Sequence, residues 1–341
     1  MNVLLCLSHA IEEYDQLRLL SGLGYTVASI GGYIDPANPH DPKRPPLPEI
    51  PCVPEVKAAV DALGTPDNLG AAQANIPDAI LDWLGDDGVI IYHHYLDRLY
   101  GQWPRILDWR RGARRVIWRT VGQSVENNER QSAPYRAEGL EIVRYSPKER
   151  NIPGYAGEDA LIRFYKDPAD YGGWTGEGEY VLGFGQHYVQ RDPWTNYRFF
   201  AEATEGLPTR IVGPGSEIVG GPGEVSFDQL RAELQRARVY LYTGTQPASY
   251  TLGLIEAMMT GTPVISMPAS QFRIFPGHNT FEGPDLAPWV VDTAATAREV
   301  LPHFLAKDQA QALGESKVIR EHAIETFGRA TIAAQWKAYL G

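Results

Sequence analysis

Residues 239–266 read VYLYTGTQPASYTLGLIEAMMTGTPVIS, and this stretch decides the fold. It begins with an apolar run, Val239–Tyr242, crosses a loop of small and polar residues, and reaches an apolar helical stretch, Tyr250–Thr260. Gly261 stands where a helix C-terminus favours glycine, and a second apolar run follows at Val264–Ser266. Strand, helix and strand in this order predict a βαβ unit with parallel strands.

Glu256 is the only charged side chain in residues 239–272. A carboxylate in such apolar surroundings costs free energy unless a partner satisfies it. The N-terminus of the predicted helix opens at the carboxyl end of the preceding strand, where α/β folds bind ligands. We therefore predict that the amides of Tyr250, Thr251 and Leu252 receive an anion such as a diphosphate. The alternative is a Glu256 that is hydrogen-bonded in the core or faces solvent.

Short apolar runs alternate with amphipathic stretches along the whole chain, which predicts an α/β protein with two parallel sheets. Residues 167–179, rich in glycine and acidic side chains, are predicted to link the two halves. The predicted strands are Val3–Leu7, Tyr25–Ile30, Val89–Tyr92, Val116–Thr120 and Ile142–Tyr145 in the first half, and Tyr180–Phe184, Arg210–Val212, Val239–Tyr242, Val264–Ser266 and Trp289–Val291 in the second.

Two serines have the spacing of a helix capping box. Ser146 is followed by Pro147 and by Glu149, and Ser226 is followed three residues later by Gln229. Each pattern predicts a helix start. By contrast, residues 33–54 contain eight prolines and are predicted to form a long loop at the carboxyl edge of the first sheet.

The stretch ASYTLGLIEAMMTGTPVI at 248–265 resembles the signature of the family 4 retaining glycosyltransferases, the glycogen-synthase-like enzymes of GT-B fold. That signature has a Glu, an aromatic-Gly-Leu segment, Glu-Ala-Met eight residues after the first Glu, and then Gly-x-Pro-Val-Ile. The resemblance implies that Glu256 binds the nucleotide ribose, so Glu256→Gln is expected to weaken nucleotide binding and leave the fold intact. Ala248 stands where the family has the Glu that addresses the donor sugar, and Thr251 stands in place of a Gly. The sugar is therefore left undetermined.

A second match begins at the strand end FGQHYVQR, residues 184–191. The family has Gly-Arg here, with Lys five residues after the Arg, and both cations address the pyrophosphate. In this chain the Arg position holds Gln186 after Gly185, and the Lys position holds Arg191. Arg191 is thus implied to stabilise the departing diphosphate. The later Gly213, in the run IVGPG, stands in the family's order of elements and is assigned to the same donor site.

The family often places a histidine beside the donor sugar after a strand in the middle of the first domain. The corresponding stretch here has no histidine, and Gln123 or Ser124 could offer a neutral hydrogen bond instead. His9, His93 and His94 follow other predicted strand ends and are further candidates, of which His94 is chosen with Gln123 and Arg191 for the catalytic set. For each histidine the alternative is a structural role.

Composition sets the remaining limits. The chain has 341 residues, two cysteines and a net charge of −11. The cysteines have no zinc or redox spacing, no long uncharged apolar run occurs, and the first seven residues are too short for a secretory signal. We expect a reduced, cytoplasmic chain without a membrane span, a disulfide or a metal site.

Positive charge is concentrated in residues 98–150, which carry a net charge of +6, whereas residues 1–97 carry −10. This arginine cluster is predicted to face the acceptor side of the cleft and to select an anionic acceptor, with nucleic acid as one candidate. The alternative is a solvated face that compensates the acidic first hundred residues. The cluster consists of Arg105, Arg110, Arg111, Arg114, Arg115 and Arg119.

Together these patterns predict a GT-B protein, in which two Rossmann-like domains face each other across a cleft. Residues 1–168 are assigned to an acceptor domain, 169–318 to a nucleotide-sugar domain, and 319–341 to a helix that packs back on the first. The leading function is retaining transfer of a sugar from a nucleotide-diphosphate sugar, with no other cofactor. The alternatives are a glycosyltransferase acting on a modified DNA base and a sugar-nucleotide-binding protein without turnover.

Overall fold

The computed structural model describes residues 1–6, 9–40, 43–93, 96–122, 124–272 and 279–341. The strands are β1 Asn2–Cys6, β2 Thr26–Ser29, β3 Val89–Tyr92, β4 Arg115–Arg119, β5 Glu141–Arg144, β6 Ala160–Leu161, β7 Gly178–Phe184, β8 Thr209–Val212, β9 Ala237–Tyr242, β10 Val264–Ser266 and β11 Trp289–Val290. The helices are α1 Ala10–Ser21, α2 Pro54–Asp61, α3 Asn68–Ala74, α4 Asp78–Leu84, α5 Leu96–Gly101, α6 Trp103–Trp109, α7 Glu126–Ala137, α8 Tyr197–Ala203, α9 Phe227–Arg236, α10 Leu252–Thr260, α11 Gly283–Leu286, α12 Ala294–Leu305, α13 Gln309–Phe327 and α14 Arg329–Leu340.

The strands form two wholly parallel sheets, with the orders β2-β1-β3-β4-β5-β6 and β11-β10-β9-β7-β8. The ten predicted strands are all present, with ends shifted by a few residues. Strand β6 was missed because it has only two residues, too few for a periodic pattern.

Each sheet is covered on both faces, as parallel sheets require. In the first sheet, successive side chains of β1 alternate: Leu4 packs in one apolar cluster, and Val3 and Leu5 pack in another. The second sheet is surrounded by a single cluster, in which the α10 residues Leu254 and Met258 are fully buried.

The last two helices connect the halves. Helix α13 packs against α10 in the second half, whereas Trp336 of α14 is fully buried in the cluster beneath β1. The chain changes course at Gly328, which separates α13 from α14. The return of the terminal helix to the first sheet is therefore seen, while the domain limits at 168 and 318 stay a prediction.

The two serine patterns have different outcomes. Ser226 and Gln229 form the predicted capping box at the start of α9. Ser146 instead begins a short 3-10 helix at Pro147–Asn151, and its hydroxyl accepts from the amide of Lys148. The prediction of a capping box there was wrong, because the Glu149 carboxylate accepts from the hydroxyl of Thr120 at 2.7 Å and from the amide of residue 145 at 3.2 Å rather than from Ser146.

The described part of the proline-rich loop forms no helix or strand before Pro54, which is the first residue of α2. We call residues 33–53 the strap. The carboxylate of Glu13 accepts from the amides of Gly32 and Tyr33, and the Tyr33 hydroxyl donates to the carbonyl of Arg44 at 2.8 Å. The start of the strap is therefore anchored to α1 through Glu13, and Tyr33 ties Arg44 back to that start.

Candidate functional site

A cleft of about 1440 Å³ lies between the two sheets, and residues that follow strand ends line it. His9 and Glu12 follow β1, Gly122 follows β4, and Gly185 follows β7. The carboxyl edges of both sheets thus open on one cavity, which is where parallel sheets bind ligands. Its volume exceeds the roughly 300–1,000 Å³ of ordinary small-molecule sites.

The eight donor-site residues predicted from the sequence all line this cleft. Gly213 has a φ of +117°, and a Cβ there would lie 2.4 Å from the carbonyl oxygen of Gly185, so the two strand ends can approach closely only with glycine at 213. The set is Gly185, Gln186, Arg191, Gly213, Tyr250, Thr251, Leu252 and Glu256.

Helix α10 begins two residues later than the sequence predicts. Thr251 is the N-cap, with extended backbone, and its hydroxyl accepts from the amide of Leu254. Its own amide donates to the Tyr242 hydroxyl at 3.0 Å. The predicted role of the Thr251 amide was therefore wrong. Leu252 and Gly253, the first two residues of α10, line the cleft, and their amides have no intrahelical partner.

Glu256 lies on the floor of the cleft and is only 2% exposed. Its Oε1 lies 2.5 Å from Nη2 of Arg44 and 2.9 Å from Nζ of Lys166. The same Nζ lies 2.7 Å from Oδ2 of Asp15. Burial raises the pKa of Glu256, but Lys166 and Arg44 outweigh it and hold the pKa at about 2. The carboxylate is therefore ionised at neutral pH. The sequence predicts a solitary acid in an apolar helix, whereas the structure shows a buried group of four charged side chains, namely Asp15, Arg44, Lys166 and Glu256.

The charged groups around Glu256 all come from the first half of the chain, with Arg44 and Lys166 contacting Glu256 directly and Asp15 contacting Lys166. Asp15 lies on α1, Arg44 lies on the strap, and Lys166 precedes the predicted linker. The guanidinium of Arg44 also stacks on the ring of Phe227, 4.1 Å from its centroid. Sequence reasoning missed these residues because nothing in their local spacing indicates that they lie close to a residue 90 or more positions away along the chain.

The neighbouring Lys43 reaches across the cleft as well. Its Nζ lies 3.0 Å from Oε1 of Glu224, in a pair that is largely exposed to solvent. Lys43 and Arg44 thus place two cations of the first half against acidic side chains of the second. The strap forms one wall of the cavity that contains Glu256.

Comparison with known proteins gives a clear result only at the level of structure. No protein-family model matches the chain, and no curated protein sequence matches it significantly. Among solved structures, it superposes on Alr3699/HepE from Anabaena in complex with UDP-glucose with a TM-score of 0.64 and 13% identity, covering 100% of this chain and 99% of that one.

Two further structures agree. A glycosyltransferase from Rickettsia africae matches with a TM-score of 0.65 and 12% identity, over 99% of this chain and 97% of that one. TarM matches with a TM-score of 0.53 and 12% identity, and the match covers 77% of this chain and 58% of TarM. The chain has the GT-B fold.

In this GT-B fold the two halves touch beside the cleft. Gly122 has a φ of +86°, and a Cβ at that position would lie 2.7 Å from the Cβ of Ala248. The amide of Ser249 donates to the Tyr145 hydroxyl at 2.5 Å, which fixes the same contact. Ala248 therefore packs its methyl group against the first half, at the position where the resemblance expects a glutamate.

The predicted residues of the first half have mixed outcomes. Gln123 and His94 lie outside the described residues. Ser124 is buried and is absent from the described lining of the cleft. His93 is also buried, neither ring nitrogen has a hydrogen-bond partner among the described residues, and burial lowers its pKa well below the ordinary value. His93 is therefore a neutral core residue rather than a cleft residue.

His9 and Glu12 do line the cleft. Nδ1 of His9 accepts from the amide of Glu12 at 3.4 Å and so caps α1. Glu12 is 1% exposed, its Oε2 has no hydrogen-bond partner within the described chain, and burial raises its pKa to about 7 in spite of Arg119. Sequence reasoning missed Glu12, although its place one turn after a strand end was the available signal.

The arginine cluster does not face the cleft, so that prediction was wrong. None of its six members is among the described lining residues of the cavity. Arg115 begins β4 at the opposite edge of the sheet and pairs with Glu141 at 2.6 Å, while Arg110 donates to the carbonyl of Glu138. Arg119 is fully buried and donates to backbone carbonyls. These arginines pair with nearby carboxylates and carbonyls. The prediction failed because the net charge of a sequence segment does not show which way its side chains point.

The described residues contain no group of three or more histidine, cysteine, aspartate or glutamate side chains placed to hold a metal ion. Within the same residues, no helix is long and apolar enough to cross a membrane.

Proposed function

We propose that this GT-B chain transfers a sugar from a nucleotide-diphosphate sugar to an acceptor, with retention of configuration. The observation that carries the proposal is the ionised Glu256 on the floor of a cleft into which the carboxyl edges of both sheets open. The Anabaena structure, with the same fold, contains UDP-glucose, which makes UDP and UDP-glucose the first ligands to test. A cytoplasmic location and domain limits near 168 and 318 belong to the proposal.

In this proposal the nucleotide lies on the second half of the chain. Glu256 accepts from ribose hydroxyls, and the amides of Leu252 and Gly253 receive the diphosphate at the positive end of α10. Arg191, which is exposed on the cleft wall, neutralises charge as the bond between sugar and phosphate breaks. The acceptor enters from the first half, where His9 and Glu12 lie.

A panel of UDP, GDP, ADP and dTDP, with the matching glucose or mannose donors, tests the proposal by thermal shift and by release of labelled sugar. A ligand that binds the native state at 100 times its dissociation constant stabilises by about 2.7 kcal/mol, which is readily measured. We expect one nucleotide series to raise the melting temperature and Glu256→Gln to reduce that rise. Glu325→Gln, on the exposed surface of α13, is the matched control. The absence of a shift with every member of the panel would refute the proposal.

A binding protein without turnover is the second candidate, and the contact between Ala248 and Gly122 favours it. A methyl group stands where the resemblance expects a sugar-binding carboxylate, and Gln186 stands where it expects a cation. Donor binding without hydrolysis or transfer, measured over a range of acceptors, would support this second function. The DNA-base alternative depended on the arginine cluster and is not retained.

A further inference from the structure

The cleft is short of positive charge for its proposed ligand. Its described lining residues include three lysine or arginine side chains, Lys43, Arg44 and Arg191. Lys43 pairs with Glu224 at the exposed rim, and Gln186 occupies the position at which the resemblance expects a second cation beside Arg191. A diphosphate carries more than one negative charge, and binding it in a partly enclosed cavity requires compensating cations.

Arg44 is held in a position from which it can supply that charge. Its side chain is 5% exposed, and its carbonyl oxygen is fixed by the hydroxyl of Tyr33 at 2.8 Å. One end of the guanidinium donates to the carbonyl of Lys43 at 2.8 Å, and the other contacts Glu256. The backbone is therefore anchored to the first half, while the charged group lies inside the cavity.

The proposed ribose contact would release Arg44. Ribose hydroxyls that donate to Glu256 compete with Arg44 for the same carboxylate, whereas Lys166 stays within ion-pair distance of both Glu256 and Asp15. A buried guanidinium without an anion is costly, so the released group needs a new partner. The diphosphate brings negative charge into the same cavity.

We propose that Arg44 is a donor-binding residue that exchanges Glu256 for the diphosphate when the nucleotide binds. The strap of the first half then supplies the second cation, in place of the side chain replaced by Gln186. Such an exchange makes diphosphate binding depend on both halves of the chain. The inference rests on the proposed function, because it requires a nucleotide at Glu256.

The test compares UDP with uridine by isothermal titration calorimetry, using Arg44→Gln and Arg44→Lys. We expect Arg44→Gln to raise the Kd of UDP at least tenfold and to change the Kd of uridine by less than twofold, because uridine has no phosphate. Arg44→Lys should fall between, since an ammonium keeps the charge but loses the planar donor pair. Arg231→Gln is the matched control, because Arg231 stacks on the same Phe227 ring at 4.8 Å and does not line the cleft.

Three results would overturn the inference. An equal loss of affinity for UDP and uridine would show that Arg44 only supports the cavity wall. Tighter binding of both ligands would show that the Arg44 side chain blocks the site and must be displaced by the ligand. Unchanged binding of both would leave Arg44 as a structural partner of Glu256. The melting temperature of each unliganded variant is measured first, to show that it folds. The double variant Arg44→Gln/Glu256→Gln keeps the buried charges balanced, and its Kd for UDP should still be higher than that of Glu256→Gln alone.

Failure of this inference is distinguishable from failure of the proposed function. Wild-type chain that binds neither UDP nor any other nucleotide of the panel overturns both. Wild-type chain that binds UDP through Glu256, with Arg44 variants equal to wild type, overturns only the role of Arg44.

Discussion

Glu256→Gln is predicted to destabilise the fold as well as the nucleotide site. From the sequence alone, this change of similar shape is expected to leave the fold intact. The structure instead places the carboxylate against Arg44 and Lys166. Replacing it leaves two buried cations with one carboxylate, that of Asp15. Breaking a buried pair by removing one partner typically costs about 3–5 kcal/mol.

The pKa of Glu256 gives an independent magnitude. Its value falls from 4.5 to about 2 on folding, and each pKa unit corresponds to about 1.4 kcal/mol, so the ionised form contributes about 3 kcal/mol. Because the folded pKa is depressed, this contribution is present above pH about 4.5 and is lost as the pH falls toward 2. This value lies at the lower end of the cost of breaking a buried pair.

The assay is thermal unfolding of wild type, Glu256→Gln and Glu325→Gln between pH 3 and 7.5, without ligand. At about 1.4 °C per kcal/mol for a chain of 341 residues, Glu256→Gln should melt about 4 °C lower at pH 7, and the difference should shrink toward pH 3. Adding Arg44→Gln should recover part of the loss, because it removes one of the two stranded cations. A melting temperature equal to that of wild type across the whole pH range would refute the buried charge group.

Three further predictions concern other parts of the cleft and the sheet edge. Arg191→Ala should lower kcat at saturating donor much more than Arg191→Lys, because the charge acts as the diphosphate departs; small and equal effects would place Arg191 outside the reaction. Glu12→Gln should stabilise the fold by about 2–3 kcal/mol at pH 8 and little at pH 4.5, since burial raises the pKa of Glu12 to about 7 and wild-type stability therefore falls between pH 4.5 and 7. Urea unfolding at pH 4.5 and pH 8 measures this difference, and a difference that does not depend on pH would contradict the prediction. Replacing four members of the arginine cluster with Gln, namely Arg110, Arg111, Arg114 and Arg115, should leave the Kd of UDP and its salt dependence unchanged in calorimetry at 50 and 300 mM salt. A flatter salt dependence in this variant would show that the cluster contributes to UDP binding.

Much of the fold was predictable because it depends on local patterns. The apolar run of β9, the small residues after it and the C-terminal Gly261 determine a βαβ unit whatever surrounds them. The same reasoning located ten strands, and within the residues that the structure describes it missed only β6, whose two residues carry no period. That Gly185 and Gly213 line the cleft was also predictable, because ligand sites of parallel sheets lie directly after strand ends.

The sequence by itself determined two parallel α/β halves and a carboxylate in the middle of a buried helix. Only the tertiary structure decided what that carboxylate contacts: Arg44 is 212 residues away along the chain and Lys166 is 90 away, and no local period encodes either contact. The same holds for the arginine cluster, whose charge is plain in the sequence and whose direction is not. Periodicity specifies which face of an element is buried, whereas the pairing of charges across a cleft depends on how elements far apart in the sequence are brought together.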